Sequence, residues 1–534
     1  MGNKLFKLFM GWVIISAISG MFIYSGKENV LYVGIFVFIV AILVIFSNKQ
    51  SNENNWIHGT AQWASREELL RHFGFRGNQP LEPGSFYLSY DENTDHHIAI
   101  PAEIAKQHGL ILGGTGAGKS RGYFLANCAW IKNTSFVITD PKSELWELTS
   151  GHQKEAWRYA PGDENSQCFN WIPLCQEART AQICARALMS AATSKDTDPF
   201  WTNAEIAYLV AIFAHIAVSA NPTPLAAYQF ITLTDREVLL EELKNSRSKV
   251  ARQQANIFEQ TDDKVKGGIV PAVANTLQFM QDPLIQRFTS SDIKPPNFSE
   301  LKKRPIGLYY CLKDNDIDYL KPLNALFFTL VLEEIGQSQA KPSDIPIMMI
   351  LDEFGNLGRI PNFEATITLA RSRGISIWLG LQSLDQLKRY GEENGNIILE
   401  NLGTQVFLRG IKGKSAEYIS KILGESTVVV NKENISESGG IFNKNYSTTY
   451  SQQENKRPLM TVDEVNRLPD DRAIVKVGNF RPMMLKKIYY NERAKTAMME
   501  KLKEAIGNDK TEGGRIELEP PPLSAKGMQY QRRG

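Results

Sequence analysis

Residues Gly109 to Ser120 read G-L-I-L-G-G-T-G-A-G-K-S, and the fold is decided here. Leu110 to Leu112 form an apolar, strand-like run. Gly113, four residues, then Gly118, Lys119 and Ser120 complete a G-x-x-x-x-G-K-[ST] pattern. Glycines at 113, 114, 116 and 118 permit a tight curl whose N–H groups point at phosphate oxygens. The candidate nucleotide-binding residues are therefore Gly113, Gly114, Thr115, Gly116, Ala117, Gly118, Lys119 and Ser120. Lys119 offers a charge to the β- and γ-phosphates, and Ser120 a hydroxyl to Mg²⁺. A helix is expected from Arg121 to Ile131, its dipole favouring the anion. Strand, glycine loop and helix in register mark a nucleoside-triphosphate site, with ATP and Mg²⁺ as expected cofactors.

The chain has 534 residues, enough for two or three domains. Its five cysteines, at 128, 168, 175, 184 and 311, show no C-x-x-C spacing, so neither a zinc site nor a redox pair is indicated. Net charge is +2, and residues 1–50 carry Lys4, Lys7, Lys27 and Lys49 against Glu28. The remainder balances to −1, which excludes a broadly basic nucleic-acid binder. Any DNA contact must be local, and Lys412 and Lys414 in G-I-K-G-K-S are candidates, the alternative being an ordinary solvated turn.

Residues 8–26 and 29–48 are uncharged stretches of 19 and 20 positions, each matching a bilayer span. Lys4 and Lys7 before the first, and Lys49 after the second, place both termini in the cytoplasm. Residues 1–50 are thus expected to be a transmembrane region of two helices, and 51–100 a linker with adaptor strands.

Ser135 to Thr139 is a second apolar run, ending in Asp140-Pro141-Lys142. Asp140 and Lys142 either face the nucleotide or mark a plain strand-to-turn exit. Helical periodicity dominates 176–300, at 176–194, 199–219, 235–260 and 266–282, with Pro271 as a kink. The reading is a nucleotide domain in two parts, 101–175 and 301–504, with an all-α domain inserted at 176–300.

Ile347 to Leu351 is a buried-type run ending in Asp352-Glu353, a Walker B arrangement. Asp352 would hold the Mg²⁺ shell and Glu353 polarise the attacking water. A strand from Ile375 to Leu381 then ends in Gln382, which senses the γ-phosphate or orients water, unless it caps a helix. Arg371 or Arg373 would reach a neighbouring subunit's nucleotide as an arginine finger, or else make surface salt bridges. Further strands are expected at 404–409, 426–430 and 472–490. The polar stretch 431–456 is expected to be a mobile loop, and 505–534 a disordered tail.

With these stretches in view, the chain resembles the type IV secretion coupling proteins, the TraG/TraD-like conjugation ATPases. The likeness runs through G-G-T-G-A-G-K-S, T-D-P-K-S-E-L, D-P-F-W (198–201) and L-D-E-F-G-N-L-G (351–358). It continues in A-R-S-R-G-I (370–375), G-L-Q-S (380–383) and R-P-L-M-T-V-D-E-V-N-R-L-P (457–469). The resemblance implies an α/β fold: a RecA-like doubly wound P-loop NTPase domain with the all-α insertion and two N-terminal transmembrane helices. It implies an inner-membrane homo-hexamer that recruits a relaxase–DNA complex and drives single-stranded DNA towards the secretion channel, beside the channel's other ATPases. It also implies Lys119 and Ser120 at phosphate and metal, Asp352 and Glu353 at metal and water, Gln382 as sensor, and Arg371 as the trans finger. One departure is the short link between the spans, where members often carry a longer segment. Two alternatives stand beside it: a receptor for effector proteins at the same channel, and a chromosome-segregation-type DNA translocase.

Overall fold

The computed structural model describes residues 59–76, 81–91, 93–192, 199–260, 263–438 and 445–487. Both expected membrane spans and the expected tail at 505–534 lie outside these residues. Among the described residues no helix is long and apolar enough to cross a membrane. Two compact units divide the chain: residues 1–59 with 427–455, and residues 60–426 with 456–534.

The second unit begins with a helix, Arg66–Phe73, started by a capping box between Ser65 and Glu68. Strands β1 (Gly74–Arg76), β2 (Phe86–Asp91) and β3 (His96–Ile100) follow as an antiparallel sheet in the order β1-β3-β2. The main sheet comprises β4 (Gly109–Leu112), β5 (Ser135–Asp140), β6 (Ala156–Tyr159), β7 (Gly307–Cys311), β8 (Ile347–Leu351), β9 (Ile375–Leu381) and β10 (Thr404–Phe407). Strands β11 (Glu425–Ser438) and β12 (Asn445–Pro458) form a separate two-stranded sheet, and β13 (Arg472–Val477) and β14 (Met483–Lys486) rejoin the main sheet. Its order is β14-β13-β10-β4-β9-β8-β5-β7-β6. From β10 to β6 every neighbour is parallel, while β13 and β14 add an antiparallel edge.

A parallel sheet is covered on both faces, so its strands read as unbroken apolar runs. All seven residues of β9 and all five of β8 are buried. Alternate residues enter different cores: Leu110, Leu112, Met349 and Leu351 on one face, Ile111, Met348 and Ile350 on the other. Each such side chain contributes roughly 1.5–3 kcal/mol by leaving water.

Between β6 and β7 the chain is helical: Ala178–Ala192, Pro199–Ile216, Pro224–Leu233, Arg236–Lys244, Lys249–Glu259, Asp263–Thr276 and Pro283–Ser290. Pro271 lies inside its helix. The single helix expected at 235–260 is two, because Ser248 accepts from Ala251 N–H and starts a new one. The mobile loop expected at 431–456 is corrected more sharply. Residues 425–438 and 445–458 are two long strands of a two-stranded sheet. Thr and Val in the first segment, and Thr and Tyr in the second, suit a pleated ribbon despite their polar neighbours.

Candidate nucleotide site

The sheet register assembles the site. Ile111 pairs with Gly380 and Leu112 with Leu381, so the P-loop leaves β4 beside the end of β9. Gly113 N–H donates to Leu381 O at 3.1 Å. Leu351 pairs with Leu379, which brings Asp352 level with Gly380. Walker A and Walker B strands are thus separated by β9, and Gln382 emerges between them at the carboxyl ends, where α/β sheets bind ligands.

Gly116 and Gly118 sit at φ 70° and 89°, conformations that L side chains rarely adopt. The expected helix opens as a π-helical turn, Ser120–Phe124, and continues as Leu125–Trp130. Lys119 is 6% exposed. Its Nζ donates to Gly113 O at 3.1 Å and lies 3.8 Å from Glu353 Oε1. Ser120 Oγ donates to Asp352 Oδ2, joining the two metal candidates directly. Thr139 Oγ1 holds the Asp352 carbonyl at 2.7 Å. Burial raises the Asp352 carboxyl above its ordinary range, against the lowering effect of the Ser120 bond.

Glu353 is in the left-handed region at φ 52°, costing about 1–3 kcal/mol for a residue with a side chain, a strain that clusters at active sites. Its carboxylate accepts both bonds from Gln382 Nε2, at 3.1 and 2.9 Å. Gln382 Oε1 accepts from Thr115 Oγ1 at 3.3 Å, closing a path from the P-loop to Glu353. Gln382 is not a helix cap; Ser383 fills that place, with Gln386 as its capping-box partner.

Other candidates fall elsewhere. Asp140 accepts from Trp146 N–H at 2.7 Å in the first turn of the helix Glu144–Thr149, and burial pushes its carboxyl up to about 6. Lys142 is exposed beside it. Arg371 and Arg373 lie just before β9, at the opposite end from Gln382. Seven residues of strand put Arg371 on the order of 23 Å from its own chain's P-loop.

Two contributors to this geometry, Gln386 and Gly380, escaped the sequence reading. Gln386 Oε1 accepts from Gln382 N–H at 2.8 Å, and the S-x-x-Q pattern from Ser383 was the available signal. Gly380 leaves the space Asp352 occupies: a Cβ there would meet Asp352 Oδ1 at 2.7 Å. Thr115 contributes its hydroxyl as well as its backbone.

The donor set fits Mg²⁺: a hydroxyl and a buried carboxylate are hard oxygen ligands already in contact. Among the described residues no group of three or more His, Cys, Asp or Glu could hold a metal.

Fold and site define a P-loop nucleoside triphosphatase with its Walker B pair across an intervening strand. The chain belongs to the family described as Type IV secretory system Conjugative DNA transfer, matched over residues 51–513. It is 26% identical over 501 residues to Protein VirD4 of Agrobacterium fabrum (strain C58 / ATCC 33970), covering 88% of this chain and 70% of that one. It is 24% identical over 504 residues to the Conjugal transfer protein TraG of Escherichia coli, covering 83% and 76%. Plasmid coupling protein TrwB, solved in complex with ADP and Mg²⁺, shares the fold at TM-score 0.61 and 17% identity, over 81% of this chain and 94% of that one.

Proposed function

We propose that this coupling ATPase of conjugative DNA transfer turns ATP hydrolysis into movement of single-stranded DNA. One observation carries the reading: Lys119, Ser120, Asp352, Glu353 and Gln382 converge from three strand ends. The P-loop N–H groups and Lys119 bind the phosphates. Ser120 and Asp352 would hold Mg²⁺, which neutralises charge on the phosphates when bound. Glu353 accepts a proton from the attacking water at its carboxylate, and Gln382 keeps that carboxylate oriented. Thr115 links the filling of the P-loop to Gln382.

The remaining parts are read from sequence and family. Residues 8–26 and 29–48 anchor the chain in the bacterial inner membrane as two spans, with the bulk in the cytoplasm. A homo-hexamer brings Arg371 of one subunit to the nucleotide of the next, a role its distance from its own P-loop favours. The partners are the relaxase–DNA complex, single-stranded DNA, and the secretion channel with its other ATPases. Lys412, in the turn after β10, and Lys414, the first residue of the helix Lys414–Leu423, are exposed at the nucleotide end of the sheet and are the candidate DNA-phosphate contacts.

ATP turnover of the full chain in detergent, measured across protein concentration with and without single-stranded DNA, tests this reading. Specific activity should rise with both, and changing Lys412 and Lys414 to Ala should flatten the salt dependence of DNA binding. Activity flat in concentration and indifferent to DNA would point to a self-contained site. An unchanged salt slope would remove the two lysines from the DNA path.

A further inference from the structure

The backbone of the P-loop is gripped from outside. Arg409, just past β10, donates from Nη2 to Gly116 O at 3.2 Å, and its own carbonyl accepts from Gly114 N–H at 3.0 Å. Lys487, just past β14, donates from Nζ to Ala117 O at 2.7 Å. Asp470, just before β13, accepts from both cations: its Oδ1 is 2.5 Å from Arg409 Nε and 3.2 Å from Lys487 Nζ. Two successive P-loop carbonyls therefore rest on two cations bridged by one carboxylate.

We propose that Lys487 and Arg409, joined through Asp470, are positioning residues that preorganise the P-loop for nucleotide. In a trans peptide the C=O and the next N–H point in opposite directions. Holding Ala117 C=O on Lys487 turns Gly118 N–H away from Lys487. Holding Gly116 C=O on Arg409 sets the peptide whose N–H closes the turn onto Gly114 O at 3.1 Å. The loop is further fitted to its support at Gly114, where a Cβ would meet Gly410 O at 2.8 Å. A buried ammonium is costly unless it is paired, and the Lys487 side chain is 0% exposed. An apolar residue would fill that space without the penalty, so packing alone does not account for a lysine there. The two cations also add positive potential behind a loop that must receive a polyphosphate.

The grip reaches two further elements. Arg409 leads into the turn that carries Lys412 and into the helix Lys414–Leu423. Lys487 and Asp470 flank the antiparallel pair β13–β14. Nucleotide arriving in the P-loop pulls on both through these bonds.

The inference rests on the nucleotide site itself, and one experiment separates the two. Affinity of the full chain for Mg²⁺–ADPNP is measured in wild type, Lys487→Met, Lys487→Arg and Asp470→Asn. Wild type should bind. Lys487→Met should bind about tenfold more weakly while the nucleotide-free melting temperature holds or rises, because a desolvated charge is removed. Lys487→Arg should recover much of the loss, since it keeps a charged donor. Asp470→Asn changes a side chain that is 60% exposed, tolerates folding, and should weaken binding about threefold. Wild-type affinity in both Lys487→Met and Asp470→Asn overturns the proposal. So does a loss of affinity that only follows a loss of melting temperature. Wild type that fails to bind ADPNP overturns the nucleotide site and the clamp together.

Discussion

Gln382 donates to both oxygens of Glu353, at 3.1 and 2.9 Å, and so holds the candidate base of one strand from the end of its neighbour. The pair sits where β8 and β9 finish side by side, and Lys119 lies 3.8 Å from the same carboxylate. A bond of this kind fixes orientation without supplying a proton. Glu353→Gln should therefore lower ATP turnover by about 10²–10⁴-fold, the range for a lost general base. Affinity for Mg²⁺–ADPNP should stay within about threefold, because Ser120 and Asp352 remain. Single-turnover hydrolysis alongside equilibrium binding checks both, and a variant that loses binding would reassign Glu353 to the metal.

Gly380 should tolerate no side chain. Its Cβ position lies 2.7 Å from Asp352 Oδ1, 3.2 Å from Asp352 Cα and 3.1 Å from Phe124. Gly380→Ala should displace Asp352 and weaken Mg²⁺–nucleotide binding by about tenfold or more. Gly151→Ala is the comparison, since nothing lies within 4 Å of its Cβ position. Titration calorimetry reads the difference, and equal affinities in the two variants would remove the steric argument.

His108 makes stability depend on pH. Its Nε2 donates to Ile367 O at 2.8 Å, and its Nδ1 accepts from Ile377 N–H at 3.1 Å, tying the start of β4 to β9 and the helix Phe363–Ala370. Burial pushes the imidazole down to about 4 from 6.5, so the folded chain keeps it neutral. The unfolded chain binds the proton first as pH falls, so stability is lost between pH 6.5 and 4. The loss should be on the order of 3 kcal/mol at the acid end. Urea unfolding at several pH values should show this slope in wild type and a flatter one in His108→Gln. Equal slopes would assign the acid sensitivity to other groups.

The chemistry was legible in the sequence because it is local. Gly113 to Ser120 and Asp352-Glu353 each combine an apolar run with the residues that must follow it. The order of the strands, with β9 between them, was not written in either motif. Helices Pro224–Leu233 and Pro283–Ser290 were passed over although Thr223-Pro224 and Asp282-Pro283 are cap-and-proline starts. The strand expected at 426–430 runs on to Ser438, and that continuation and its partner at 445–458 were hidden by polar composition, since two paired strands need no apolar alternation to form hydrogen bonds. Arg409, Asp470 and Lys487 were invisible for a different reason. They are far apart in the chain and meet only because β10, β13 and β14 are neighbours.

The most direct measurement is steady-state ATP hydrolysis by the full chain with Mg²⁺ and single-stranded DNA, in wild type and in Lys119→Ala. Lys119 touches Gly113 O and faces Glu353, and it is the cation that the P-loop motif aims at the β- and γ-phosphates. Wild type should hydrolyse ATP and be stimulated by DNA, and Lys119→Ala should fall by about two orders of magnitude or more. Turnover in Lys119→Ala within about twofold of wild type would contradict a P-loop motor in this chain.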